Sequence, residues 1–227
     1  MYWDNTFWLV LPGLILAMWA QYRVKAAYKK YGAVQSRAHR TGAQVARAML
    51  DKAGLQSVQI VPIAGNLTDN YDPSNNTLNL SQGVYGSTSI AAMGIAAHEC
   101  GHAMQHQQGY ALMGARAAIV PVVNIGSNLS WPIFLGGMIF QWEPLMLAGI
   151  MLFSLVVLFT LLTLPVEFNA SARALSVLSE DEYLDAEELR GARRVLSAAA
   201  LTYVASALSA VLQLVRLLAL SNRRSRN

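Results

Sequence analysis

One cysteine, Cys100, stands in a chain of 227 residues, so no intramolecular disulfide can form. It says little about compartment, and a small buried side chain is its simplest reading. Charge is scarce too. Asp, Glu, Lys and Arg make up 13% of the chain, against about 25% in ordinary soluble domains. With an apolar share of 54%, that balance excludes an ordinary soluble protein and points to an integral membrane protein. No internal repeat and no low-complexity linker interrupts the chain, whose length allows one or two domains. The formal net charge is +4. Its basic residues cluster beside apolar stretches, which reports membrane orientation rather than nucleic-acid binding.

The first uncharged run, residues 5–22, follows a start that carries Asp4 and no Lys or Arg, so a signal peptide is not the reading. Trp8, Trp19 and Tyr22 suit membrane interfaces. Residues 1–22 are therefore read as an uncleaved anchor, short enough to require tilt or local thinning. A basic stretch follows, with Arg23, Lys25, Lys29, Lys30, Arg37, Arg40 and Arg47.

Residues 23–116 read as a cytoplasmic catalytic region. A helix over 43–53 stops at Gly54. Residues 55–63 alternate like a strand, and 69–76 are dense in turn formers. Thr77-Leu78-Asn79-Leu80-Ser81 alternates again. It is expected at a sheet edge, where an extended peptide substrate could add; a hairpin strand with no substrate role is the plainer alternative. Ser87-Thr88-Ser89 offers N-caps for a helix over 90–108.

Two uncharged runs, 117–141 and 145–166, are joined by Gln141-Trp142-Glu143-Pro144, a link without Lys or Arg. Each is long enough to span at about 20 residues, and together 117–166 predict a transmembrane hairpin. In 167–196, Ser179 with Glu182 predicts a capping box, and the acidic run 180–188 a solvated helix face. Residues 197–227 hold a fourth apolar run, 197–215, then Arg216 and an arginine tail. Placing 23–116 and 167–196 in the cytoplasm satisfies the positive-inside rule. The arginine tail breaks that rule if the last run spans, so this run is expected to lie against other helices or the interface.

The chemistry concentrates in Ala97-His98-Glu99-Cys100-Gly101-His102. On a helix, His98 and His102 lie one turn apart on one face and can bind a single metal ion. Glu99 is then placed as general base. In an apolar helix these groups would otherwise be costly to bury. Zinc is the default metal for two imidazoles, a carboxylate and an open position. His106 lies about 12 Å along the axis from His98, at about 1.5 Å per residue. The glycine turn that lets a third histidine fold back is absent. His106 is therefore expected near the site, against the substrate or simply on the helix surface rather than on the metal. Glu167, at the end of the third apolar run, is either an interfacial anchor or functional.

Several segments carry a resemblance. Tyr71-Asp72-Pro73, Leu80-Ser81, Ala97 through His106, Leu164 through Ser171, and Leu201-Thr202-Tyr203-Val204-Ala205 resemble the YugP-type neutral zinc metallopeptidases of bacterial membranes, in order and over nearly the whole chain. That family is more distantly similar to HtpX-type membrane proteases, in which a glutamate on a later helix completes the zinc site. The resemblance implies that Glu167 is the third ligand. HtpX-type sequences often place an acid four residues after this glutamate. Ser171 stands there instead, which leaves that acid's contact to Asn169 or Arg173.

The chain is thus expected to be a mainly α membrane protein. It would have three to four transmembrane or membrane-associated helices and a small zincin-like α+β region with a short sheet. Expected ligands of one zinc ion are His98, His102 and Glu167, with Glu99 as base in an endopeptidase acting on membrane or misfolded proteins. Arg173, His106 and Tyr203 are the candidates for stabilising the oxyanion. The alternatives are a non-catalytic scaffold that retains a metal site and, from Asn124 and Asn128 in an apolar run, a transporter or channel. The expected location is the bacterial cell membrane, multi-pass, with the site facing the cytoplasm.

Overall fold

A computed structural model describes residues 5–224. After a short 3-10 turn, Asn5–Leu9, the elements are α1 (Leu11–Gly32), α2 (Gly42–Lys52), β1 (Gln59–Ile63), β2 (Asn70–Asp72), β3 (Thr77–Ser81), α3 (Gln82–Tyr85), α4 (Ile90–Gln107), α5 (Ala111–Ile139), α6 (Glu143–Glu180) and α7 (Ala186–Arg224). They group into two units, and α1, α5, α6 and α7 each contribute to both.

The first unit takes residues 21–113 and 166–200. Its core closes around α2 and α4, with Met49, Leu50, Met93, Leu178 and Leu196 buried together. A capping box starts α2, with Thr41 and Gln44 satisfying each other's backbone amides. Gly54, at φ +76°, ends it as expected. The strand expected over 55–63 begins only at Gln59, because Leu55 and Val58 turn back to bond Leu50 and Leu55. Within the expected turn 69–76, Asn70–Asp72 pairs as a strand.

The sheet order is β1-β3-β2. This corrects the edge placement of Thr77, Leu78, Asn79, Leu80 and Ser81. That strand is central, parallel to β1 and antiparallel to β2, so both of its edges are taken. It has no free row of backbone groups for a peptide. The expected capping box at Ser179 and Glu182 is also absent. Helix α6 runs on to Glu180, and Glu182 sits at φ +52°, which no helical N3 position allows. The box lies further on, where Asp185 accepts from the Glu187 and Glu188 amides and Glu188 accepts from the Asp185 amide. Glu188 is buried, so the acidic run is not wholly a solvated face.

The second unit takes residues up to 20, 114–165 and from 201 on. Phe134 of α5, Met146 and Ile150 of α6 and Leu217 of α7 form its core. A Cβ on Gly149 would lie 2.7 Å from the Phe134 amide nitrogen, so glycine is what lets α5 and α6 approach this closely. Met151, 65% exposed, and Phe140, 77% exposed, present apolar surface outward.

Three helices, α5, α6 and α7, are long and apolar enough to cross a membrane. Helix α1, the expected anchor, is not among them. Within the uncharged run 5–22, the helix takes Leu11 to Tyr22 and then continues into the basic stretch from Arg23. The last apolar run, expected to lie against other helices or the interface, belongs to a continuous helix that is long and apolar enough to cross. Asp4 and Arg226 lie outside the described residues.

Candidate metal centre

The site is built by α4 and the later part of α6. Ser89 caps α4 by accepting the Ala92 amide. The helical register then sends His98 and His102 out on one side, their ring centroids 4.7 Å apart. Helix α6 continues through Pro165 and carries Glu167 to the same place. A Cβ on Gly101 would stand 2.6 Å from the Ala170 carbonyl oxygen. Only glycine allows this approach of α4 to α6, and the approach brings Glu167 to the histidines.

Glu167 Oε2 lies 3.2 Å from His98 Nε2 and 3.5 Å from His102 Nε2. One ligand atom from each of the three residues falls within 4.8 Å of the others. Zinc bonds of about 2.0–2.1 Å in a tetrahedron put neighbouring ligand atoms about 3.3 Å apart. The two measured distances bracket that value, and two imidazoles with one carboxylate are a zinc donor set. The residues therefore fit the metal.

The electrostatics follow from burial. Glu167 is 3% exposed and Glu99 8%. Burial would raise the Glu167 carboxyl, but hydrogen bonds to His102 and His98 outweigh it and hold the group below the usual carboxylate range. Burial raises Glu99, against the pull of the neighbouring His98 and His102. For His102, burial disfavours the charged form, yet Glu167 and Glu99 raise its pKa on balance.

The far nitrogens of both histidines are also engaged. His98 Nδ1 is 3.1 Å from Ser171 Oγ. Ser171 therefore contacts a ligand histidine directly. His102 Nδ1 is 3.0 Å from Gln105 Oε1. Sequence reasoning missed Gln105, whose only signal was its place three residues after His102. Asn169 and Arg173 stand one step further back: Gln105 and Arg173 both donate to Asn169 Oδ1, at 2.9 and 2.7 Å.

His106 is exposed and outside the ligand cluster, its Nδ1 2.9 Å from the Tyr71 hydroxyl. Tyr203 belongs to the other unit. In β3, Ser81 donates its amide and hydroxyl to Asp69. Cys100 is buried, as expected, and burial raises its thiol pKa.

Comparison with known proteins places these residues in context. Residues 6–222 match a family described as "Putative neutral zinc metallopeptidase". The chain is 46% identical to the "Putative membrane protease YugP" of Bacillus subtilis (strain 168), over 208 residues that cover 92% of each protein. No solved structure matches.

Proposed function

The chain belongs to this zinc metallopeptidase family, and from that premise we propose that it is a zinc-dependent membrane endopeptidase. The observation that carries the proposal is the convergence of His98 Nε2, His102 Nε2 and Glu167 Oε2, with Glu99 next to them in the helix. Zinc held there supplies Lewis-acid polarisation of a peptide carbonyl and acidifies a water.

The chain's own residues do the rest. The Glu99 carboxylate accepts a proton from the attacking water. It returns that proton to the amide nitrogen as the carbon–nitrogen bond breaks, so water is added across the peptide bond. Burial supports both halves of this role, because it makes the protonated form of Glu99 accessible. The packing of α4 on α6 keeps Glu167 against the two imidazoles.

The proposed substrates are peptide segments of membrane or misfolded proteins, met at the cytoplasmic face of the bacterial cell membrane. The orientation rests on Arg173, Arg190, Arg193, Arg194 and the basic stretch from Arg23 to Arg47, all in segments that contribute to the metal-bearing unit. A structural metal in a non-catalytic scaffold is the weaker reading. Structural zinc sites are closed by four protein ligands, whereas among the described residues this cluster has three.

Metal analysis of detergent-purified protein tests the proposal. The wild type should hold about one zinc per chain, as a single three-ligand site requires. Glu167→Ala should lose the metal and peptide hydrolysis together. A wild type without zinc, or a Glu167→Ala variant that retains it fully, would overturn the reading.

A further inference from the structure

We propose that Gln105 is a positioning residue that sets the tautomer of His102 and ties it to the element carrying Glu167. The inference rests on the metallopeptidase reading and adds a residue that the ligand motif does not contain.

The argument is one of donors and acceptors. Arg173 can only donate, and its Nε lies 2.7 Å from Asn169 Oδ1. Asn169 therefore presents its carbonyl oxygen, and the group 2.9 Å away on Gln105 must be the donating Nε2. The same Nε2 lies 2.8 Å from the Val166 carbonyl oxygen, which can only accept. Two acceptors thus pin the amide of Gln105, a residue with no exposed surface. Its Oε1 is left facing His102 Nδ1 at 3.0 Å. An acceptor at that point requires a proton on Nδ1, and leaves Nε2 as the nitrogen that faces Glu167 and the metal position.

The reversed amide would place Oε1 against two acceptors and drive the proton of His102 onto Nε2, closing that nitrogen to a metal. Val166 immediately precedes Glu167. One side chain therefore orients a ligand on α4 and grips α6 beside the ligand it carries.

Two measurements test this. The first is nitrogen NMR of the metal-free, full-length protein labelled at histidine. The chain has only four histidines, and His39→Gln, His106→Gln and His98→Gln, each in turn, would assign all four. His102 should carry its proton on Nδ1 in the neutral form. A neutral His102 protonated on Nε2 and not on Nδ1 overturns the proposal, and no folding of a Gln105 variant is needed to see it.

The second is zinc affinity by chelator competition. Gln105→Leu should weaken binding by roughly 10–100-fold, the usual effect of removing a partner of a ligand histidine. If Gln105→Leu binds as tightly as wild type while still folded, tautomer control is wrong. A wild type that binds no zinc would instead sink the metallopeptidase reading, so the two failures are distinguishable.

Discussion

At the scale of single residues, Glu99 separates metal binding from chemistry. It belongs to no ligand cluster, yet it is buried beside two ligands. Glu99→Gln should therefore keep zinc while peptide hydrolysis falls by about 10²–10⁴-fold, the range for loss of a general base. Full activity in that variant would remove Glu99 from the mechanism. The same substitution has a signature in metal-free protein. Burial raises the folded pKa of Glu99 above its ordinary 4.5. The stability this contributes is fully present below pH 4.5 and is lost as pH rises through the folded value. Glutamine cannot titrate, so denaturation midpoints should show Glu99→Gln gaining on wild type as pH rises from 4 towards 7. A difference that stays constant with pH would mean Glu99 is not held protonated by burial. His98, Glu99 and His102 were legible in the chain because a four-residue spacing on a helix is a local fact. Glu167 was legible only as an ambiguous boundary charge until the resemblance was added. Gln105 and the contact made by Ser171 depend on how α4 meets α6, which no local pattern encodes.

At the scale of elements, the site depends on how closely two helices approach. A Cβ at Gly101 would meet the backbone of Ala170, which cannot swing aside as a flexible side chain could. Gly101→Val should therefore destabilise the protein by about 1–3 kcal/mol, the range for overpacking. It should weaken zinc binding as well, because α6 carries Glu167 away when it moves. Gly114→Ala is the control: in an exposed stretch of α5 with nothing within 4 Å, it should hold or slightly raise stability. Thermal melts with metal analysis compare the two, and equal behaviour would show that the close approach is not needed. The elements themselves were largely readable. Gly54, Ser89 and Gly109 punctuate the chain through caps and positive φ, and the structure keeps all three boundaries. What failed was pairing. The Thr77–Ser81 strand looked like an edge because its antiparallel neighbour β2 is short and hidden among turn formers, and its parallel partner β1 joins it across an intervening strand. The capping box was misplaced for a related reason: Ser179 and Glu182 have the right spacing, but α6 had not yet ended.

At the scale of the whole molecule, contact within the site constrains the membrane topology. His98 and Glu167 touch at 3.2 Å, so α4 and the later part of α6 lie on the same side of any bilayer. Between them the chain offers two helices able to cross, α5 and α6. These must cross as a pair or not at all. The link between them holds Gln141 and Trp142 and has no basic residue, while the segments before and after carry the arginines. Under the proposed orientation, the charge rule puts the link outside and the metal-bearing segments inside. Helix α7 then decides the C-terminus. Its length and composition suffice for a crossing, which would carry the arginine tail outside against the charge rule. That rule weighs charge near the ends of helices and is most often dominated by those synthesised first, so a late exception is consistent with it. Reporter fusions check the whole pattern. A fusion after Gly109 should be active only with a cytoplasmic reporter, and one after Gln141 only with an exported one. One after Glu182 should again report the cytoplasm, and one at the C-terminus the exterior. A cytoplasmic signal after Gln141 would remove the α5–α6 crossing, while a cytoplasmic C-terminus alone would remove only that of α7. Because the site ties the crossing of α5 to that of α6 but not to that of α7, these two outcomes cannot stand in for each other.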